Sequence, residues 1–260
     1  MERSTGYIIS FAAAVCLICS VLVTSTAVSL KDRQVENKRL DRQKKILVLA
    51  GLMEKGEGID AAEIDKRFGD NIEAHVIDLE TGEYNPSADT GNFDQRKAAK
   101  EPATSTSAPA NKSGIQRVPN QALIYHVLEN GEPVTLILPV EGKGLWSTMY
   151  GYLALAPDTT TVKGVTFYEH GETPGLGGEI ENPSWVAKWP GRQAYDASFT
   201  PALEVIKGPA GPPDTDPHRI DGLAGATLTS RGVSYLLDFW LGENGFSPYL
   251  EKFRAERSAS

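Results

Sequence analysis

Residues 122–140, ALIYHVLENGEPVTLILPV, decide the fold. Two apolar runs, Ala122 to Leu128 and Pro133 to Val140, flank Glu129-Asn130-Gly131-Glu132. Asn-Gly is the pair that a two-residue hairpin turn selects, because both central residues need positive φ, so the stretch predicts an antiparallel β-hairpin. Tyr150 to Ala156 and Thr161 to Tyr168 are further strands of the same character, Ala202 to Ile206 a third, and Val76 to Leu79, closed by Thr81-Gly82, a shorter one. Helical spacing is found elsewhere. Ala61 to Phe68, reaching toward Ile72, carries a short helical pattern, and Trp185 to Trp189 fits a short helix laying aromatic rings on the sheet. In Thr229 to Leu241, Val233, Leu236, Leu237 and Trp240 recur at helical spacing behind a Thr/Ser-rich start. The expected class is α+β, an antiparallel sheet with flanking helices over about residues 46–260.

The whole chain has 260 residues, 40% of them hydrophobic and 23% charged, which suits one or two globular domains and excludes a wholly disordered or fibrous chain. Its net charge of −8 excludes the basic surface that sequence-independent nucleic-acid binding requires, and no nucleic acid is expected as a partner. The two cysteines, Cys16 and Cys19, lie in an apolar N-terminal run. Beyond them the chain cannot hold a disulfide, a thiolate-bound zinc or a cysteine-ligated iron–sulfur cluster. His75, His126, His170 and His218 lack the close pairing of a metal site, so no metal is expected and any redox carrier should be organic.

From Ser4 to Leu30 no residue is charged, and about 20 such residues cross a hydrocarbon core of roughly 30 Å. Residues 1–30 thus read as a transmembrane helix with a short N-terminal tail. A cleaved signal peptide is the alternative, since Ser25-Thr26-Ala27 offers small residues, but the apolar run is long for one. Either reading puts the soluble part outside the cytoplasm. The flanking charges point the other way. Only Arg3 precedes the run, whereas Lys31, Arg33, Lys38, Arg39, Arg42, Lys44 and Lys45 follow it, and the positive-inside rule would keep that side in the cytoplasm. Residues 31–52 read as a basic helical stem ending near Gly51. Residues 53–143 form the N-terminal part of a soluble domain, with 85–114, rich in Pro, Ser, Thr, Ala and Asn, as a flexible insertion. Residues 144–245 hold the candidate chemistry, and 246–260 are a C-terminal tail. Beyond residue 45 there are 18 bases against 30 acids, so the body should stand off an anionic lipid surface.

Two motifs carry chemistry. In Asp221-Gly222-Leu223-Ala224-Gly225-Ala226-Thr227-Leu228-Thr229-Ser230, two glycines allow close backbone approach and hydroxyls follow where a helix begins, a place where an anion settles. The plainer reading is that Thr227, Thr229 or Ser230 is an N-cap. In Glu169-His170-Gly171-Glu172-Thr173-Pro174-Gly175-Leu176-Gly177-Gly178-Glu179, four glycines and a proline make a close-approach loop. Glu172 and Thr173 supply hydrogen-bonding groups there, and Leu176 is an apolar surface for a planar ligand. The plainer reading is a structural turn after the strand ending at Tyr168. Ile180 breaks the Gly-x-Gly-x-x-Gly spacing, so a Rossmann dinucleotide site is not supported.

At these residues the chain resembles the FMN-binding domain family. DGLAGATLTS looks like its flavinylation motif, in which FMN is joined through its phosphate to the last threonine of a Ser-Gly-Ala-Thr core, here Thr227, and HGETPGLGGEI is similar to the loop that wraps the isoalloxazine ring. The resemblance spans about Gly144 to Ser230, and it departs at Ala224, where the family usually has Ser. It implies a covalently bound FMN on Thr227, with Glu172, Thr173, Gly175, Leu176, Gly177, Asp221, Gly222, Gly225, Ala226 and Thr229 as cofactor-binding residues. Trp146, Trp185, Lys207, His218 and Arg219 are weaker candidates, the last three for the phosphate.

Two branches of the family share a single N-terminal membrane helix. One belongs to the sodium-translocating NADH:ubiquinone reductases, the other to Rnf-type electron transport complexes. Asn37-Lys38-Arg39-Leu40-Asp41-Arg42-Gln43-Lys44-Lys45-Ile46-Leu47, then Ala50-Gly51-Leu52, resembles the stem of the first. That branch implies an electron-relay subunit of a six-subunit inner-membrane complex, passing single electrons between redox centres of neighbouring subunits while quinone reduction drives Na+ export. Its partners would include the other covalent-FMN subunit and the iron–sulfur-bearing membrane subunits, with a flavin transferase using FAD during maturation, and its soluble domain would be periplasmic. Sodium movement would fall to multi-span subunits, since one helix without charged residues offers no ion path. An anchored binding or scaffold protein without cofactor is the alternative of another class.

Overall fold

The computed structural model describes Ser4 to Ser258 and divides the chain into two compact units, Met1–Gln43 and Lys44–Ser260. Helix α1, Thr5–Leu49, is one unbroken helix, long and apolar enough in its first part to cross a membrane. The basic stem continues it, with Arg39 bonding Glu36 at 2.7 Å and Gln43 at 3.0 Å along the helix surface. Gly51 ends it near the expected place. At φ +74°, Gly51 donates its N–H to Val48 O and Leu52 donates to Leu47 O, the paired reverse bonds of a Schellman stop.

In the second unit, α2 (Ala61–Asn71) is capped by Asp60, whose carboxylate accepts the Glu63 N–H at 2.8 Å. It runs into β1 (Ile72–Asp78). Helical turn α3 (Gln95–Ala98) and the ribbon of β2 (Ser105–Ser107) and β3 (Arg117–Pro119) follow. The long strands are β4 (Gln121–Glu129), β5 (Glu132–Lys143), β6 (Thr148–Leu155) and β7 (Val162–Glu169). The main sheet has the order β1-β4-β5-β6-β7, antiparallel at every junction. The expected hairpin is β4–β5, with Asn130 and Gly131 at φ 54° and 82°.

After β7 come a 3₁₀ turn, Gly177–Glu181, and α4 (Pro183–Val186), then β8 (Glu204–Val205), β9 (Arg219–Ile220), α5 (Thr227–Leu241) and α6 (Ser247–Ser258). Strand side chains alternate between faces. Leu136, Leu138 and Val140 of β5 join Val233, Leu236, Leu237 and Trp240 of α5 in the main core, where Trp240 Nε1 donates to Glu141 O at 2.7 Å. On the opposite face, buried Ile137 stands across from Ala154, which pairs in turn with Gly164, and Leu49 at the end of α1 lies 2.9 Å from where a β-carbon on Gly164 would sit. Phe68 of α2 meets the Tyr125 ring edge-on at 5.9 Å.

Several expectations are corrected. The strand around Ala202 to Ile206 is not part of the main sheet: β8 pairs in parallel with β9, and the Val205 N–H is taken by Ser234 Oγ of α5 at 2.9 Å. The late helix starts at Thr227, two residues before the predicted start. Residues 246–260, read as a tail, carry α6, which buries Tyr249, Leu250 and Phe253 in the core. The segment 85–114 is loop-rich as its composition suggests, yet it docks on the sheet. Gln95 Oε1 accepts the Leu123 N–H at 3.1 Å, Arg96 makes a bidentate pair with Glu169, and Ser113 O accepts the Lys143 N–H at 2.7 Å.

Candidate functional site

The first turn of α5 has no side-chain cap. Ala226 stands at the N-cap with φ −127°, and among the described residues the amides of Thr227, Leu228 and Thr229 have no acceptor. Three free N–H groups at the positive end of a 15-residue helix make a receptor for an anion. The N-cap reading of Thr227, Thr229 and Ser230 is therefore not what the helix adopts. Its hydroxyls are sorted instead. Thr229 is buried and donates to Glu172 Oε2 at 2.5 Å, and buried Ser230 accepts the Leu223 N–H at 3.1 Å. Thr227 is exposed, and its hydroxyl has no partner among the described residues.

The loop before this turn is held from behind. Gly222 lies so close to the Ile206 carbonyl that a side chain would collide with it, and its N–H donates to Gly208 O at 2.9 Å. The Asp221 carboxylate bonds Lys188 and accepts the Ala210 N–H at 3.0 Å, while its carbonyl accepts Trp185 Nε1 at 2.8 Å. Burial works against the Asp221 charge, but the Lys188 and Ala210 bonds and the charges of Lys188 and Arg192 outweigh it and hold the carboxyl below its ordinary pKa. Gly225, at φ +71°, turns the chain into the helix.

The second motif arrives alongside. Thr173-Pro174-Gly175-Leu176 is a tight turn closed by Leu176 N–H to Thr173 O at 3.1 Å, with Pro174 second and Gly175, at φ +77°, third, the order a type II turn requires. Exposed Leu176 lies across Gly225, its Cδ2 only 3.0 Å from where a β-carbon on that glycine would sit. The structure thus joins the two motifs that the sequence separates by about 50 residues.

Glu172 is their junction. It is 4% exposed, and its carboxylate accepts the Thr229 hydroxyl and the N–H groups of Trp146 at 2.9 Å, Leu145 at 3.1 Å and Ser147 at 3.4 Å. Burial raises its pKa, but these four donors outweigh that and leave it below the usual carboxylate range. Gly144 and Gly177 make room for it: a β-carbon on either would fall 2.6 Å and 2.8 Å from its oxygens. The turn Gly144 to Ser147 that hangs on this carboxylate presents Leu145 and Trp146 outward, Trp146 being 70% exposed. With Leu176 and Leu228 they form the exposed apolar side chains of the three segments joined at Glu172.

The weaker candidates divide. Lys207 is exposed beside Gly208 and makes no ion pair among the described residues. His218 Nδ1 bonds Gln193 O at 2.9 Å, and Arg219 pairs with Asp216 at 2.7 Å, so both are engaged elsewhere. Trp185 is buried under the Asp221 loop. Sequence reading missed Leu145, Leu228 and Arg231. Arg231 is exposed and follows Thr227 by four residues, one turn along the same helix face. That spacing is informative only once the helix is known to start at Thr227.

A free threonine at an uncapped helix end, an apolar loop across it and a long apolar helix ahead of the domain define a class. The family model of the FMN-binding domain matches residues 144–242, from the Trp146 turn to the end of α5. The NqrC component of the Na+-translocating NADH-quinone reductase from Pseudomonas aeruginosa is 47% identical over 256 residues, covering 97% of both chains. Its counterpart from Vibrio parahaemolyticus is 43% identical, over 98% of this chain and 95% of the relative. The crystal structure of Shewanella oneidensis NqrC superposes with a TM-score of 0.77 at 36% identity, covering 84% of this chain and 99% of that one. The chain belongs to the NqrC family of the Na+-translocating NADH-quinone reductases.

Proposed function

We propose that the protein is the membrane-anchored, FMN-carrying NqrC component of a Na+-translocating NADH:quinone reductase, with FMN joined by a phosphoester to Thr227. The observation that carries this reading is the sorting of hydroxyls in the first turn of α5, where Thr229 and Ser230 are committed inward and Thr227 is free beside three unpaired amides. Those residues fit the group. The amides and helix dipole suit an anionic phosphate, the dipole alone contributing about 0.3–1 kcal/mol. Exposed Gly225 adds no side chain there, Leu176 and Trp146 offer apolar surface to a flat ring, and Lys207 and Arg231 supply positive charge. When bound, FMN would supply reversible one-electron chemistry.

The rest of the chain positions that group. Asp221 and Gly222 brace the loop behind Thr227, and α5, packed on β5, holds the attachment point on a rigid layer. A neutral threonine is a weak nucleophile, so attachment calls for a separate flavin transferase and its metal. Electrons would come from a redox centre of one neighbouring subunit and leave to the covalent flavin of another, with α1 as the anchor. Sodium would cross elsewhere, because α1 has no charged side chain as far as Leu30. The soluble unit is assigned to the periplasmic side on the family resemblance, against the bias of the basic stem.

The test is in-gel flavin fluorescence under denaturing conditions with intact mass, on protein co-expressed with a flavin transferase and FAD. The wild-type band is expected to fluoresce and to be heavier by one FMN less water, and the Thr227→Ala band to be dark. A dark wild-type band beside an active transferase overturns the assignment and favours an anchored binding protein.

A further inference from the structure

The site contains a carboxylate that the proposed function does not use. The Glu172 oxygens accept four hydrogen bonds from the chain itself, and the side chain is hidden beneath the turn that carries Trp146. An ionised carboxylate only accepts hydrogen bonds, so it can gather three backbone N–H groups and a hydroxyl around one centre. Glutamine in the same place would turn an NH₂ toward donors. The surrounding space is shaped for the group, since Gly144 on one side and Gly177 on the other exclude even a methyl. Two of the joined segments, Leu145 to Ser147 and the first turn of α5, are separated by about 80 residues.

We infer that Glu172 is a positioning residue: its carboxylate latches the Trp146 turn to the first turn of α5 and holds Thr227 in receptive geometry before any group is attached. This rests on the proposed reading of Thr227. Glu172 acts through Thr229, two residues along the helix from the acceptor, and through the amides beneath Leu145 and Trp146. Its four hydrogen-bond partners all lie within the chain. The latch has a second effect on selectivity, because the same bond that orients the turn keeps the Thr229 hydroxyl buried and occupied.

The latch is tested first on the unmodified full-length protein in detergent, by hydrogen exchange with mass spectrometry. The Leu145–Ser147 amides lie beneath exposed side chains, yet wild type should protect them. Glu172→Gln should speed their exchange about tenfold or more while strands β4 to β7 stay protected. Thr229→Val, which keeps the shape and removes one donor, should give a smaller change in the same peptides and serves if Glu172→Gln fails to fold. Transfer kinetics with purified flavin transferase and FAD come second. Both variants should lower kcat for modification of Thr227, Glu172→Gln by about tenfold, with KM for the acceptor protein unchanged. A partly unfolded acceptor would raise KM instead, and that result refutes positioning. Unaltered exchange in both variants also refutes it, as does unaltered kcat. If wild type itself is never modified, the flavin reading falls and the attachment role with it, while exchange alone still decides whether the latch exists.

Discussion

Replacing Gly232 by alanine adds one methyl where α5 lies on the end of β5. That β-carbon would stand 2.5 Å from the Lys143 carbonyl oxygen, 3.1 Å from Met149 Cε and 3.3 Å from Gly144 Cα. Met149 can shift, but the carbonyl and the Gly144 backbone cannot move without the strand end, so the helix must back away by at least about half an ångström. Overpacking of this kind costs about 1–3 kcal/mol. Alanine returns up to about 1 kcal/mol in helix propensity. The expected net is a loss of about 1–2 kcal/mol, or roughly 3–6 °C in Tm for a unit of this size. Thermal unfolding of the full-length protein in detergent, followed by far-UV circular dichroism, measures it. Gly232→Ala as stable as wild type, or more so, would refute the close seating of α5 on the Lys143 carbonyl and the rigidity claimed for the turn that carries Thr227.

Burial, with a smaller push from the neighbouring His75 charge, lowers His126 to about 4, against 6.5 for the free side chain. Between those values the unfolded chain binds the extra proton, so stability should fall as pH is lowered through that window, by up to roughly 3 kcal/mol. Urea midpoints at about pH 7 and about pH 4.5 read this slope. His126→Phe, which also removes the 2.6 Å bond to the Tyr249 hydroxyl, should flatten it, and a slope unchanged in that variant would assign the effect to another group. For topology, Ser258→Cys at the exposed end of α6, in a background with Cys16 and Cys19 changed to serine, should react with an impermeant thiol reagent on intact spheroplasts. Labelling only after lysis would place the domain in the cytoplasm.

Strands whose apolar runs are bounded by turn residues were legible in the sequence, and Asn130-Gly131 announces its hairpin because few other pairs accept two positive φ angles. The start of α5 was not, for a specific reason. Thr229 and Ser230 have the chemistry of caps, but their hydroxyls go to Glu172 and to the Leu223 amide, partners that local sequence does not reveal. Helix α6 is short, and its apolar residues Tyr249, Leu250 and Phe253 follow a Gly-Phe-Ser-Pro string that reads as a chain end. Glu172 could be named as a site residue from its motif, whereas its orientation depends on amides 25 to 27 positions upstream. In the segment 85–114, a composition that suits loops conceals single side chains, Gln95 and Arg96, that tie it to the sheet.

The order of elements along the chain sets when each part of the molecule comes into being. Strands β4 to β7 pair with their immediate neighbours in sequence and can form as they are made. Their main-core face, however, is covered by α5 and α6, which follow them in the chain. Until those residues emerge, Leu136, Leu138 and Val140 stay open to solvent, to a chaperone or to aggregation. Thr227 begins the first of those two helices, so its turn takes shape only after the strands it packs against. Any modification that depends on this geometry must wait until α5 and α6 have packed on the sheet.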